Sequence, residues 1–135
     1  MYKITINGII FYLHSNLNIF LTLGITIVSE LITFFIFLKK GLPKEHSTNW
    51  VWFIIGMNLI TVPLAQIFYS HIPINPLAID WYLTEILVIL TEALLMYGIM
   101  RATFKNALFY SILLNMSSIL GGAILCWLNL LPWCV

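Results

Sequence analysis

Charge is scarce in this chain. Only 8% of its 135 residues are charged, whereas 61% are hydrophobic and the mean hydropathy is +1.01. Soluble domains carry about 25% charged residues. Because so few charges cannot cover a surface that faces water, we expect an integral membrane protein with the lipid bilayer as its surroundings.

Runs of basic residues are also missing. The net charge is +1, which gives no electrostatic footprint for nucleic acid, so we expect no nucleic-acid partner. The first apolar run follows a single Lys3, and no small-residue cleavage site precedes the first long apolar stretch. We therefore expect no cleaved signal peptide.

Residues that could bind a metal are few. Cys126 and Cys134 lack the spacing of a metal site, and we interpret them as a small buried residue and part of a frayed terminus. His14, His46 and His71 all fall outside the long apolar stretches. A haem or a di-metal site between helices would therefore have no imidazole where it needs one. We expect no cofactor and no metal.

Four long apolar stretches are present, at about 17–38, 50–69, 81–100 and 106–130. Each is about long enough to cross a hydrocarbon core. Asp80 is a candidate N-cap for the third stretch. We predict an all-α, four-transmembrane-helix bundle, in which 1–16 is a short outer or interfacial segment and 17–135 is a single membrane domain.

The basic residues predict the orientation. Five of them lie in the two loops that must share a side: Lys39, Lys40, Lys44, Arg101 and Lys105. The positive-inside rule makes that side cytoplasmic and places both termini outside, which we expect to be in a prokaryotic plasma membrane. The tryptophans predict an aromatic belt, with the inner interface at Trp50 and Trp52 and the outer interface at Trp81, Trp127 and Trp133.

Each span carries one strongly polar residue, and all four lie about eight or nine residues from its cytoplasmic end: Glu30, Asn58, Glu92 and Asn115. At 1.5 Å per residue they share a depth of about 12–14 Å. An ionisable residue inside a span is costly and by default indicates a functional site. Glu92 lies in the middle of the third span, and we expect the chain to be organised around it.

The two halves of the chain share a local pattern. In spans one and three a hydroxyl residue precedes the glutamate, and a basic residue follows nine positions after it. In spans two and four the asparagine is followed three residues later by a hydroxyl, Thr61 or Ser118. We predict two tandem, parallel helical-hairpin repeats, an arrangement that occurs in transporters with a site near the midplane.

A second polar layer is expected nearer the outer surface. Glu85, Gln66 and Thr22 fall at similar depths there. Pro63 is expected to kink the second span beside Asn58. Glu92 and Asn115 lie at similar distances from the short turn between spans three and four, so we expect them to meet.

Three functions from different classes fit these residues. The first is a transporter or channel for protons, cations or a cationic solute, with the candidate binding residues Glu30, Glu92, Asn58, Asn115, Glu85, Ser118 and Thr61. The second is a non-catalytic structural or assembly subunit, in which the polar residues only hold helices together. The third, an intramembrane enzyme acting on a lipid, has no evident nucleophile or metal set, so we expect a protein that is not an enzyme. Four helices leave little room for a path inside one chain, so a homo-oligomer or a membrane-complex partner is expected.

Overall fold

The fold is known from a computed structural model, which describes residues 7–41, 47–71, 79–128 and 130–131. Four long helices form it: α1 (Asn7–Thr33), α2 (Ser47–His71), α3 (Ile79–Ile99) and α4 (Phe104–Trp127). α1 continues into a π-helical turn at Phe34–Leu38 and a 3-10 turn at Lys39–Gly41. The expectation of an all-helical protein is confirmed for these residues.

Each helix contains a segment long and apolar enough to cross a membrane, and these segments are Ile19–Gly41, Thr48–Ile67, Tyr82–Ile99 and Phe104–Trp127. They agree within a few residues with the stretches expected from the sequence. α1 itself begins at Asn7, so a helix already covers most of the expected lead-in segment. Asp80 is the second residue of α3 rather than the residue before it, and Pro63 lies inside α2.

The helices pack as a ring, in which α1 contacts α2 and α4, and α3 contacts α2 and α4. Large apolar side chains such as Phe20, Phe37, Leu94 and Ile124 point outward and are more than half exposed. The polar residues Glu30, Asn58, Glu92 and Asn115 are buried at the centre instead. The bundle is thus apolar on its outside and has a polar layer in its interior, unlike a soluble helical bundle with a polar outer face.

α1 and α4 approach each other closely at a pair of small residues. A Cβ atom added at Gly121 would lie 2.5 Å from the Ser29 hydroxyl oxygen. One turn earlier, the Ser117 hydroxyl is 3.4 Å from the Ser29 carbonyl oxygen. A side chain at position 121 would force the Ser29 hydroxyl to move, so glycine permits this close approach, as in small-xxx-small helix contacts of membrane proteins.

The turn between α3 and α4 depends on one residue in the left-handed region. Arg101 has a φ of 53°, which a residue with a Cβ adopts only at a cost. Thr103 then caps α4, because its hydroxyl oxygen accepts a hydrogen bond from the Asn106 N–H at 3.4 Å. This short turn brings the second half of α3 directly against the first half of α4.

Two sequence-based expectations are wrong. Trp50, expected at the inner interface, is only 4% exposed and packs inside the bundle, whereas Trp52 is exposed as expected. Cys126, interpreted from the sequence as a small buried residue, is only partly buried and is disulfide-bonded. Trp127 is exposed, and the side chains of Trp81 and Trp133 lie outside the described part of the chain.

Candidate functional site

Glu92 is the centre of a hydrogen-bond network that joins three helices. Its carboxylate is 1% exposed. One oxygen lies 3.1 Å from the Thr61 hydroxyl of α2. The other accepts from the Asn115 amide of α4 and lies 3.3 Å from the Ser111 hydroxyl. Three donors from two neighbouring helices thus face this one carboxyl group, and the expected meeting of Glu92 and Asn115 is confirmed.

Glu30 and Asn58 form a second buried pair, between α1 and α2. The Asn58 amide nitrogen donates to Glu30 Oε2 at 2.6 Å, and both side chains are fully buried. Glu30 Oε1 and Asn58 Oδ1 have no hydrogen-bond partner among the described residues. A buried polar group left in this way costs about 1–3 kcal/mol, so these two acceptors need a hydrogen-bond donor that the described side chains do not supply.

Both asparagines are held in the same manner. Asn58 also donates to the Ile54 carbonyl oxygen, and Asn115 donates to the Ser111 carbonyl oxygen, each at 3.0 Å and each four residues earlier on its own helix. The two amide hydrogens of each asparagine are therefore divided between its own helix and a glutamate on the preceding helix. This arrangement fixes which end of each amide is the nitrogen.

The two hydroxyls that follow the asparagines behave differently. Thr61 reaches across to Glu92 in the other half of the chain. Ser118, which holds the corresponding place, donates to the Asn115 carbonyl oxygen of its own helix at 2.9 Å. Consequently Glu92 has three side-chain donors, whereas Glu30 has Asn58 as its only side-chain donor among the described residues.

A central cavity of about 550 Å³ lies beside this network. Its lining includes all the predicted site residues except Glu30, together with residues of the expected second layer, namely Asn58, Thr61, Glu85, Glu92, Asn115, Ser118, Gln66 and Thr22. Two carboxylates and no basic residue line it within the described part of the chain. Such a lining favours cations and disfavours anions.

A smaller cavity of about 260 Å³ continues from the first toward the end of the bundle where Cys126 and Leu131 lie. The two cavities share four lining residues: Thr22, Thr26, Glu85 and Ser118. Glu85 therefore stands between the central network and this end of the molecule.

The opposite side of the network is closed by what we call the apolar cluster: Phe34, Leu38, Trp50, Ile54, Met57, Met96, Ala107 and Leu114. Its members lie toward the basic end of the bundle, where Lys39 and Arg101 are found. The Trp50 ring stacks on Phe34 at 6.4 Å and meets Tyr110 edge-on at 5.9 Å. Beyond it, a further cavity of about 540 Å³ is lined by Asn49, Trp50, Arg101 and Tyr110 among others.

Sequence reasoning missed two parts of the site. Ser111 was not among the predicted site residues, although its place one turn before Asn115 on the fourth span would have suggested that it donates to Glu92. The apolar cluster was missed because aromatic residues in an apolar helix give no distinct signal. Among the described residues, no group of three or more His, Cys, Asp or Glu side chains could bind a metal ion.

No protein family, curated protein or solved structure matches this chain. The function is therefore argued from the site, since a helical bundle by itself does not specify one.

Proposed function

We propose that this chain is a small multi-pass membrane transporter or channel that carries protons, cations or a cationic solute through its Glu/Asn layer. The central cavity carries the proposal: within the described part of the chain it is lined by Glu85 and Glu92 and by no basic residue, and the apolar cluster lies nearer the basic end of the bundle. A polar cavity near the middle of the spans, between the two hairpins, is where transporters built from parallel repeats bind their substrates.

The surface of the bundle supports a membrane location. Its exposed side chains along the four candidate spans are mostly large and apolar, and lipid is the surroundings in which such a surface is stable. The polar atoms of Glu30, Asn58 and Glu92 are then within the hydrocarbon region, where unpaired charge is expensive and a function is the usual reason for it.

The paired contacts support the tandem repeat. In each half of the chain an asparagine donates to the glutamate of the preceding helix and to the carbonyl oxygen one turn back. Two hairpins related by an axis along the membrane normal would produce this correspondence. A solute path at such an axis would be completed by a second copy of the chain or by another membrane subunit.

The test is a flux assay on purified protein in liposomes that contain a pH-sensitive dye, under imposed proton and cation gradients. Glu92→Gln should reduce the flux to that of empty liposomes while the protein remains folded, since the amide keeps the shape of the side chain and removes its charge. Thr91→Val is the matched control, because Thr91 is exposed, adjacent in sequence and bonded only to its own helix at Leu87.

A structural subunit is the second candidate, and the hydrogen bonds themselves favour it. Glu92 ties α3 to α2 and α4, which is what a purely structural polar contact between membrane helices does. Wild-type protein without flux, combined with a clear loss of stability in Glu92→Gln, would contradict the transport proposal. Crosslinking in membranes would then be used to find the partner.

A further inference from the structure

The Glu30–Asn58 pair has an uneven number of donors and acceptors. Asn58 contributes two amide hydrogens, and both are used, one on Glu30 Oε2 and one on the Ile54 carbonyl oxygen. What remains is two acceptors, Glu30 Oε1 and Asn58 Oδ1, buried without a donor among the described residues. Protonation of Glu30 would turn one of these two acceptors into the kind of donor that the other lacks.

The existing hydrogen bond already brings the two polar groups together. The Asn58 amide nitrogen lies 2.6 Å from Glu30 Oε2. The unpaired atoms are the second oxygen of that carboxyl group, Oε1, and the oxygen of that amide, Oδ1. The terminal torsions of Glu and Asn are broad, so the two groups can lie side by side. A protonated carboxyl group can then donate to the amide oxygen while it accepts from the amide nitrogen.

The carboxyl group of Glu92 has the opposite surroundings. Asn115, Thr61 and Ser111 all offer it hydrogens, and hydrogen bonds of this kind favour a charged carboxylate. The two hydroxyls each have one hydrogen and an alternative acceptor, the carbonyl oxygens of Met57 and Ile89. Glu92 is therefore able to be ionised where it lines the cavity.

We propose that Glu30 is the proton-binding site of this protein, that its proton is donated to the Asn58 side-chain oxygen, and that Glu92 is the charged carboxylate that faces the cation. The assignment rests on the proposed function and divides it between the two glutamates. Asn58 lines the central cavity and Glu30 does not, so the Asn58 amide lies between the protonated carboxyl group and the cavity.

The groups that face Glu30 agree with this division. From α3 the charged neighbour is Glu92, and from α2 the facing polar group is Asn58. On α4 the polar contact with this part of α1 is the Ser117 hydroxyl at the Ser29 carbonyl oxygen, which does not titrate. Glu30 and Glu92 repel each other when both are charged, so one of them retains a proton. Glu92 has three hydrogen-bond donors that stabilise its charged form and Glu30 has one, so the proton resides on Glu30.

Infrared spectroscopy of the full chain in lipid nanodiscs at neutral pH tests the assignment directly. A protonated carboxyl group gives a C=O stretching band, separate from that of a carboxylate, that shifts in heavy water. The chain has five acidic residues in all, so single Glu→Gln and Asp→Asn variants can assign the band completely. Glu30→Gln should remove it, whereas Glu92→Gln and Glu85→Gln should leave it in place.

Asn58→Leu supplies a second readout that does not depend on the folding of Glu30→Gln. Loss of the amide partner should move the band to higher frequency, because the protonated carboxyl group loses its hydrogen bonds. A wild-type protein without the band, a band that Glu30→Gln leaves unchanged, or a band that Asn58→Leu does not move would each overturn the proposal. None of these measurements needs transport, so a failed flux assay and a failed proton assignment remain distinguishable.

Discussion

Thr61 shows how a single hydroxyl can join the two halves of the chain. It is 2% exposed and stands 3.1 Å both from its own helix, at the Met57 carbonyl oxygen, and from Glu92 on the next helix. A rotation about one bond transfers its hydrogen from one acceptor to the other. Thr61 can therefore respond to a change of charge on Glu92 without any movement of the backbone.

Thr61→Val should lower the free energy of unfolding by about 1.5–3 kcal/mol, the range for a hydrogen bond to a charged group. Ser118→Ala is the control, because the Ser118 hydroxyl bonds only to a carbonyl oxygen of its own helix among the described contacts. Chemical unfolding in detergent measures both effects.

A double-mutant cycle with Glu92→Gln separates the contact from general packing. The coupling energy should be clearly different from zero for Thr61 and close to zero for Ser118, because only residues in contact couple. Equal coupling for the two hydroxyls would contradict the cross-helix hydrogen bond.

At the scale of single elements, the end of α1 departs from regular α-helix directly after the site. The π-helical turn at Phe34–Leu38 begins four residues beyond Glu30, and short π-helical turns are often found at functional sites. The turn buries Phe34 and Leu38 in the apolar cluster and leaves Phe35, Ile36 and Phe37 exposed. It thus allows one helix to supply both the buried carboxyl group and the apolar residues next to it.

The contact between α1 and α4 gives a prediction with an internal control. Gly121→Ala should lower the free energy of unfolding by about 1–3 kcal/mol, the usual cost of overpacking, because the new Cβ meets the Ser29 hydroxyl at 2.5 Å. Gly122→Ala should be close to neutral, since nothing lies within 4 Å of its added Cβ.

Removal of the Ser29 hydroxyl tests whether its contact with the new Cβ atom is the reason for the lost stability. The double variant Ser29→Ala, Gly121→Ala should recover most of the stability lost in Gly121→Ala alone, as measured by thermal unfolding in detergent. If both glycine variants lose stability equally, helix flexibility rather than close packing is the reason for the glycines.

At the scale of the whole molecule, two independent features point to the same orientation. Lys39, Lys40, Arg101 and Lys105 lie at one end of the bundle, which the positive-inside rule assigns to the cytoplasm. Cys126, at the other end, is disulfide-bonded, and disulfides persist on the oxidising, outer side of a membrane. The central cavity extends toward this second end.

The orientation can be measured in intact cells. A cysteine introduced at Lys40 or Lys105 should react with a membrane-impermeant maleimide only after the membrane is opened. An epitope tag at either terminus should be accessible from outside. Labelling of both lysine positions in intact cells would reverse the orientation and make the central cavity face inward.

The sequence by itself determined the number of helices, the approximate ends of the candidate spans, and the common depth of Glu30, Asn58, Glu92 and Asn115. These properties depend on the length of an apolar run and on a fixed rise per residue, which are local to one helix. They required no knowledge of how the helices pack.

Only the tertiary structure decided what each polar group faces. Thr61 bonds to Glu92 while Ser118 bonds to its own helix, and Trp50 packs against Phe34 and Tyr110 rather than at the interface. The two unpaired oxygens of Glu30 and Asn58 also follow from packing. How a helix is rotated about its own axis depends on all of the helices packed against it. Two residues at the same depth with similar neighbours in sequence can therefore face different partners.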